Sequence, residues 1–246
     1  MVAINRRRIL LGACASAFAC AGPSSGRSLK TQKRRRISQT LLDEVIALHG
    51  RWLERRPDGR YADLSGTDLT GLQFFEVDLR LANLSRSVLT GSRFEGVNLS
   101  KASLNQADLS HAVIAAGRLT MATFLEAKLV NAAVTDVDDC LGTSFLRADL
   151  AGARLHGDFC CADFRFACLR DAALVGSSII GMGNFFGATL DGADMRGVAL
   201  GFSDFTNASL RGTDLRGACL REATLIGATL SDAVIDSSTC LDGSVT

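Results

Sequence analysis

A five-residue rhythm runs through about three quarters of this chain and constrains its fold more than any other feature. From Ala62 onward a small residue is followed by a polar one, then by Leu or Phe, then by two more residues, as in Ala107-Asp108-Leu109-Ser110-His111. A period of five matches neither the 3.6 residues of an α-helical turn nor the two-residue alternation of a flat strand. The sequence therefore predicts a stack of copies of one short unit.

The Leu or Phe position of each unit, here called the centre, can be counted along the chain. Thirty-six centres run from Leu64 to Cys240, with three irregular steps among them. Of these centres 21 are Leu and 8 are Phe, and 31 of them have Ala, Gly, Ser or Thr two residues upstream. We therefore expect the centre and the small residue to face inward and the other three positions to face water. At the first irregular step, a bulge is expected to turn Val137 inward and its acidic neighbours outward.

The repeat resembles the A-(D/N)-L-x-x unit of the pentapeptide-repeat family, with close matches at Ala82-Asn83-Leu84, Ala148-Asp149-Leu150 and Ala193-Asp194-Met195. The resemblance covers about three quarters of the chain. It implies an all-β fold, a right-handed quadrilateral parallel β-helix in which four units form one square coil of about twenty residues. Thirty-six units would then give about nine coils, each of which buries its apolar face against its neighbours.

Four-sided stacking makes a specific prediction about five phenylalanines. If every fourth centre lies above the last, these residues share one face, because they are four units apart although irregular steps intervene. We expect them to form an inward core ladder. The five residues are Phe124, Phe145, Phe164, Phe185 and Phe205.

The chain is predicted to have four segments. A signal-like or lipoprotein-like segment occupies residues 1–21, a basic flexible linker residues 22–38, a capping helix residues 39–60 and the β-helix residues 61–246. The helix is expected to start at the N-cap Thr40 and to end at Pro57, and its apolar residues recur at helical spacing. We interpret it as a cap on the first coil, since terminal repeats need a polar outer surface. A partner-binding helix is the alternative.

The first twenty residues carry the pattern of an export signal. Arg6, Arg7 and Arg8 precede a short apolar stretch that is too short to cross a membrane. The sequence Ala17-Phe18-Ala19-Cys20 is similar to a bacterial lipoprotein processing site, which makes Cys20 the candidate for lipidation. The pattern favours the periplasm or cell envelope, with a membrane tether at the N-terminus. A disordered basic tail on a cytoplasmic protein is the alternative.

Charge is divided along the chain. Residues 1–61 hold 13 Lys and Arg against 4 Asp and Glu, whereas residues 62–246 hold 14 against 22. An acidic rod can imitate DNA, and because some members of the family that the repeat resembles protect DNA gyrase in this way, a cytoplasmic, DNA-mimicking binder of a topoisomerase is the alternative function. The competing interpretation is that Asp before a centre only makes local turn hydrogen bonds. The aspartates concerned are Asp63, Asp68, Asp78, Asp108, Asp149, Asp163, Asp194, Asp204 and Asp214.

Motifs for catalysis, cofactor binding or metal binding are not recognisable in the sequence. It has no nucleophile elbow, no phosphate-binding glycine loop and no grouping of His and Cys at metal-ligand spacing. We therefore expect a non-enzymatic structural or protein-interaction solenoid with no cofactor, a protein partner and no direct binding of nucleic acid. Because no capping element follows Cys240, the C-terminal coil is expected to be covered by a second copy in a homodimer or by the tail 241–246.

Overall fold

A computed structural model describes residues 34–175 and 182–245. One helix is followed by five short strands that pair in parallel, in chain order, as a single sheet. The pairing advances by one coil at each step, so that Phe74 lies beside Phe94 and Phe94 beside Ile114. The elements are α1 (Gln39–Leu53), β1 (Gln73–Phe75), β2 (Arg93–Glu95), β3 (Val113–Ala115), β4 (Ala133–Val137) and β5 (Arg154–Gly157).

Isolated parallel bridges continue this register on the other sides of each coil. One column of bridges runs from Asp63 to Val245 in steps of 19 to 21 residues, and further columns start at Asp68 and Asp78. The protein is therefore a parallel β-solenoid with four walls. We call the side that carries β1 to β5 the strand wall, and the side whose bridges start at Asp63 the phenylalanine wall.

Regular strands account for about four turns of the solenoid, fewer than the nine coils expected. The other turns are joined by single bridges. At the corners, the residue two places after a centre adopts a left-handed backbone conformation, as in Arg86 (φ 60°) and Gly91 (φ 64°). This conformation bends the chain once every unit and keeps each straight segment short.

The centres and small residues form one continuous core. Leu84 and Ala82 are both completely buried. The backbone is satisfied between coils: Asn83 N–H donates to the Ala62 carbonyl of the preceding coil at 3.0 Å, and Leu84 N–H donates to the Ser103 carbonyl of the following coil at 2.7 Å. Each fully buried Leu or Phe centre contributes roughly 1.5 to 3 kcal/mol. Stability therefore comes mainly from contacts between neighbouring coils.

The first irregular step is absorbed by a bulge. The register between β4 and β5 shifts between Val134 and Val137, and Val137 is buried while Asp136 and Asp138 are exposed. This confirms the predicted inward turn of Val137. The bulge takes up the extra residue, so that the next centre, Cys140, returns to the core.

The last centre lies one residue later than the sequence predicts. Cys240 pairs with Cys219, the residue before the centre Leu220, and Leu220 N–H donates to the Cys240 carbonyl at 2.7 Å. Leu241 therefore occupies the centre position, and the assignment of Cys240 is wrong. The extra residue lies in a turn around Asp236, whose carboxylate accepts hydrogen bonds from the backbone N–H groups of Gly217 and Ser238.

Helix α1 lies against the first coil, with Leu42 completely buried. It begins before the predicted N-cap Thr40: the N-cap is Ser38, whose hydroxyl accepts from Leu41 N–H at 3.2 Å. The side chain of Gln39 explains the earlier start. Its amide donates to the Gln73 carbonyl at 2.8 Å and accepts from Gln73 N–H at 2.9 Å, which holds the first turn of the helix on the edge of β1.

The residues just before the helix also cover the first coil. The sequence places residues 35–37 in a flexible linker, but their backbone pairs with Asp68, which donates to the Arg35 carbonyl at 2.9 Å and accepts from Ile37 N–H at 3.3 Å. The signal-like segment, most of the linker and the candidate lipidation residue Cys20 lie outside the described residues. Within residues 34–175 and 182–245, no helix is both long and apolar enough to cross a bilayer.

Candidate interaction surface

The phenylalanine wall is built on a stack of aromatic rings. The structure places the five phenylalanines of the expected ladder inside this wall, all completely buried, with consecutive ring planes within 14° of each other. Phe159 packs against two of them from the neighbouring wall at 6.3 Å. The centroid distances are 4.9 Å for Phe124–Phe145, 5.0 Å for Phe145–Phe164, 5.0 Å for Phe164–Phe185 and 4.7 Å for Phe185–Phe205.

Outside this wall lies a group of side chains that we call the aromatic patch: Arg147, Phe166 and Phe186. Phe166 and Phe186 meet edge to face with ring centroids 5.5 Å apart, and the guanidinium carbon of Arg147 lies 6.0 Å from the Phe166 centroid. Phe166 is 42% exposed. The wall therefore presents an aromatic pair and an arginine to solvent.

The backbone of two successive corners positions the patch. Phe166 occupies a left-handed corner (φ 57°), and the corner one coil later is Gly187 (φ 64°). A Cβ atom at position 187 would lie 2.8 Å from the Phe166 ring, which is closer than carbon atoms approach. Glycine at this corner therefore leaves the space in which the Phe166 ring lies.

A column of polar side chains leads along the same corner to the patch. Arg86 Nε donates to Gln106 Oε1 at 3.1 Å, and Gln106 Nε2 donates to Glu126 Oε2 at 3.0 Å. Glu126 in turn lies 3.7 Å from the guanidinium of Arg147. These contacts join residues one coil apart, so they hold the exposed side chains in register along the wall.

The nine aspartates named in the sequence analysis make local hydrogen bonds. In every case Oδ1 accepts from the backbone N–H two residues later, as Asp108 does from Ser110 at 3.1 Å. Four of them also hold an arginine two residues later, with N–O distances of 2.6 to 2.8 Å. These four pairs are Asp78–Arg80, Asp163–Arg165, Asp194–Arg196 and Asp214–Arg216.

The ion pairs shift the ionisation of these carboxyls. The side chain of Arg216 lowers the pKa of Asp214 to about 2, and Arg196 lowers the pKa of Asp194 below its usual value. Asp68 has a lowered pKa because the Thr70 hydroxyl donates to it. These three carboxylates are thus charged at neutral pH, and four of the nine aspartates stand next to an arginine that neutralises them.

Groups with chemical reactivity are few in the part of the chain that the structure describes. No cluster of three or more His, Cys, Asp or Glu side chains there is placed to hold a metal ion. Burial raises the pKa of the Cys140 thiol to about 12, so this thiol is not a nucleophile at neutral pH. His156 lies 3.2 Å from Asp136 on the surface, and His49, a residue of helix α1, is completely buried.

The last described coil exposes apolar side chains. Ile235 is 55% exposed and Val245 53% exposed. Beside them a small apolar cavity of ≈ 170 Å³ is lined by Leu215, Leu220, Leu225, Leu230 and Leu241 among others. The core is therefore open to solvent at this end of the described solenoid, whereas α1 and residues 35–37 cover the other end.

The aromatic patch is not predicted by the repeat pattern. The repeat identifies the phenylalanines at centres, but Phe166 and Phe186 stand at outward positions of their units, two residues and one residue after a centre, respectively. That placement was the available signal, since most large apolar residues of the repeat occupy the centres.

A four-walled parallel solenoid with a filled core and a variable outer surface defines the class of protein: a repeat protein that presents side chains on a rigid rod. A family model described as "Pentapeptide repeats" matches residues 78–114 and 184–221, with 8 copies. The chain is a pentapeptide-repeat protein.

Several solved structures are similar to this chain. HetL, a pentapeptide repeat protein involved in heterocyst differentiation regulation from Nostoc sp. Strain PCC 7120, is 25% identical over 72% of this chain and 88% of its own, with a TM-score of 0.49. Trypsin-treated QnrB1, a plasmid-mediated fluoroquinolone resistance protein, is 17% identical over 72% of this chain and 91% of its own, with a TM-score of 0.36.

A pentapeptide repeat protein of the Arabidopsis thaliana thylakoid lumen is 26% identical over 56% of this chain and 68% of its own, with a TM-score of 0.22. A comparison with curated protein sequences finds no match.

Proposed function

We propose that this protein is a non-enzymatic interaction solenoid that binds a partner protein through the aromatic patch. The observation that carries the proposal is the edge-to-face pair of the exposed Phe166 and the half-buried Phe186, with Arg147 beside it. Aromatic residues and arginine are enriched at the centres of protein interfaces and supply most of the binding energy there.

The wall beneath the patch supports the same role. Phe164 lies two residues before Phe166 and Phe185 one residue before Phe186, and the two buried rings are stacked inside the wall at 5.0 Å. A patch that is fixed before binding loses little conformational entropy when a partner docks, and this improves affinity. The solenoid thus supplies a preorganised surface.

Photo-crosslinking tests the proposal. A benzoylphenylalanine residue at position 166 is expected to trap a partner protein in the source cells, and the purified partner is then titrated against variants. Phe166→Ala and Phe186→Ala should each weaken binding by about thirtyfold, the effect of losing about 2 kcal/mol at an interface hot spot. Phe75→Ala, which removes an exposed aromatic from the strand wall, is the matched control. Equal affinity of all three variants would reject the aromatic patch as the binding surface.

The DNA-mimicking alternative has less support. A mimic of the phosphate backbone needs carboxylates that are free to meet basic residues of a partner. Here all nine aspartates accept a hydrogen bond from their own turn, and four hold an arginine. We expect the purified solenoid to leave gyrase supercoiling unchanged, and inhibition at stoichiometric concentration would favour the alternative.

We further propose self-association through the C-terminal coil. The exposed Ile235 and Val245 and the apolar cavity beside them favour contact with the same surface of a second copy. Light scattering after size-exclusion chromatography should give a dimer that Ile235→Asp converts to a monomer. Ile226→Asp, at a 51% exposed residue on the outside of the phenylalanine wall, should remain dimeric. A monomeric unmodified protein at micromolar concentration would reject this proposal.

For localisation, the sequence pattern of residues 1–21 supports export to the periplasm or cell envelope, with a lipid tether at Cys20. The cytoplasm is the alternative. Mass spectrometry of the mature N-terminus distinguishes them: an acylated Cys20 or a cut near it supports export, and an intact Met1 supports the cytoplasm.

A further inference from the structure

His49 joins helix α1 to the first coils through both nitrogens of its ring. Nδ1 accepts a hydrogen bond from Ala62 N–H at 3.1 Å, and Nε2 lies 3.0 Å from the Arg80 carbonyl oxygen. A backbone N–H can only donate and a carbonyl can only accept. The two contacts are therefore satisfied together only when the ring is neutral and carries its proton on Nε2.

Aromatic side chains enclose this ring. Trp52 stacks on it with ring centroids 5.4 Å apart, and Tyr61 meets it edge to face at 5.9 Å. The Tyr61 hydroxyl donates to the Leu81 carbonyl at 2.9 Å, which fixes the enclosure to the following coil. His49 is completely buried, so water cannot replace a hydrogen bond that the ring loses.

We propose that His49 is a pH-sensitive clasp: its neutral ring holds helix α1 on the solenoid, and protonation of Nδ1 releases the helix. A proton on Nδ1 would face the Ala62 N–H, so two donors would oppose each other and a charge would be buried among Trp52 and Tyr61. Release of α1 would uncover the edge of the first coil. This inference is independent of the aromatic patch, which lies several coils away.

Burial has a larger effect on the pKa of His49 than the charged groups around the ring. The hydrogen bond to the Arg80 carbonyl and the Asp78 carboxylate favour the protonated ring, whereas the Arg80 guanidinium, which binds Asp78 at 2.7 Å, opposes it. The remaining titratable neighbour, Tyr61, is neutral, since burial raises its pKa further. Burial lowers the pKa of His49 below 6.5.

The sign of the pH dependence follows from this direction. Because the folded pKa is lower than the value of about 6.5 for a released histidine, the released state binds the proton first as the pH falls. The clasp is therefore fully stable above about pH 6.5 and weakens below it. As the pH falls below about 6.5, the equilibrium constant for release of α1 should rise by up to about tenfold for each pH unit, until the pH reaches the pKa of His49 in the folded state.

Hydrogen–deuterium exchange of the full chain tests the clasp between about pH 7.5 and pH 4.5. After correction for intrinsic exchange rates, protection of the Ala62 amide and of α1 should fall with pH, whereas protection in β2 and β3 should not. His49→Asn places an amide near the position of Nδ1 without a titratable group, so its protection should not depend on pH, even if it is lower throughout.

His111→Asn makes the same change at an exposed histidine and should behave like the unmodified protein. NMR of the unmodified protein should show His49 as the Nε2–H tautomer at neutral pH. The proposal is overturned if His49→Asn keeps the pH dependence, if α1 stays protected at the lowest pH, or if His49 titrates at or above 6.5.

Discussion

Phe185 and Phe205 lie face to face across one coil step, with ring centroids 4.7 Å apart and ring planes 3° apart. This distance is close to the spacing of about 4.8 Å between neighbouring strands. The backbone hydrogen bonds between Phe185 N–H and the Asp204 carbonyl, at 2.7 Å, therefore set the separation of the rings. Ring stacking and strand pairing reinforce each other along this wall.

The first prediction concerns the middle of the ladder. Phe164→Ala removes a ring that stacks on Phe145 and Phe185, and it should lower the free energy of unfolding by about 3 to 5 kcal/mol because the closed wall cannot collapse into the cavity. Urea denaturation followed by circular dichroism measures the loss. Phe75→Ala, at a ring that is 61% exposed, should cost less than about 1 kcal/mol. Similar losses for the two variants would contradict the role of the ladder.

The second prediction compares two buried serines at the same position of their units. Ser87 Oγ donates to the Leu84 carbonyl at 2.6 Å, so Ser87→Ala should cost about 1 kcal/mol. Ser203 Oγ is buried and has no hydrogen-bond partner among residues 34–175 and 182–245. Ser203→Ala should therefore leave stability unchanged or raise it by up to about 1 kcal/mol, since it removes an unsatisfied polar group. The denaturation midpoints of the two variants measure this difference. A larger loss of stability for Ser203→Ala than for Ser87→Ala would show that the Ser203 hydroxyl has a hydrogen-bond partner.

The third prediction tests the corner under the aromatic patch. Gly187 and Gly212 have similar left-handed conformations, with φ of 64° and 62°, so alanine at either should cost about 1 to 2 kcal/mol. At position 212 nothing lies within 4 Å of the new Cβ, whereas at 187 it meets the Phe166 ring at 2.8 Å. Gly187→Ala should therefore cost at least about 1 kcal/mol more than Gly212→Ala. Equal costs would mean that the Phe166 ring does not lie on this corner.

The fourth prediction concerns the pKa of Asp214, which Arg216 holds at about 2. Arg216→Gln should raise this pKa towards the ordinary value of about 3.8. Because the folded pKa is depressed, the pair stabilises the folded state above about pH 3.8, and this stabilisation is lost as the pH falls towards 2. Carbon NMR of the carboxyl groups measures the titration. Arg118→Gln removes a distant arginine and should leave Asp214 unchanged. An Asp214 pKa that does not move in Arg216→Gln would assign the shift to another group.

Particular residues show how far the sequence predicts this structure. The inward position of Val137 follows from the repeat, because burying a charged neighbour would cost far more than forming a bulge. The shift from Cys240 to Leu241 could not be predicted in the same way, since it depends on the carboxylate of Asp236 meeting Gly217 of the preceding coil. The five-residue period of the sequence carries no information about that contact.

Helix α1 also shows contacts that the sequence does not predict. The apolar spacing of residues 41–53 predicts a helix, but the hydrogen bonds of Gln39 to Gln73 and of His49 to Ala62 join residues 34 and 13 positions apart. These contacts form because helix α1 packs on the first coil, where the edge of β1 is open. Local sequence does not encode where that edge is.

The sequence by itself determined the repeat, the direction in which each of its five positions faces and hence the stacked architecture, because a small period with one large apolar residue can bury that residue only by stacking. The tertiary structure alone decided which outward residues meet: Phe166 with Phe186, Asp236 with Gly217, His49 with Ala62. Those contacts depend on distances between coils and on corner conformation, which arise only once the chain has closed on itself.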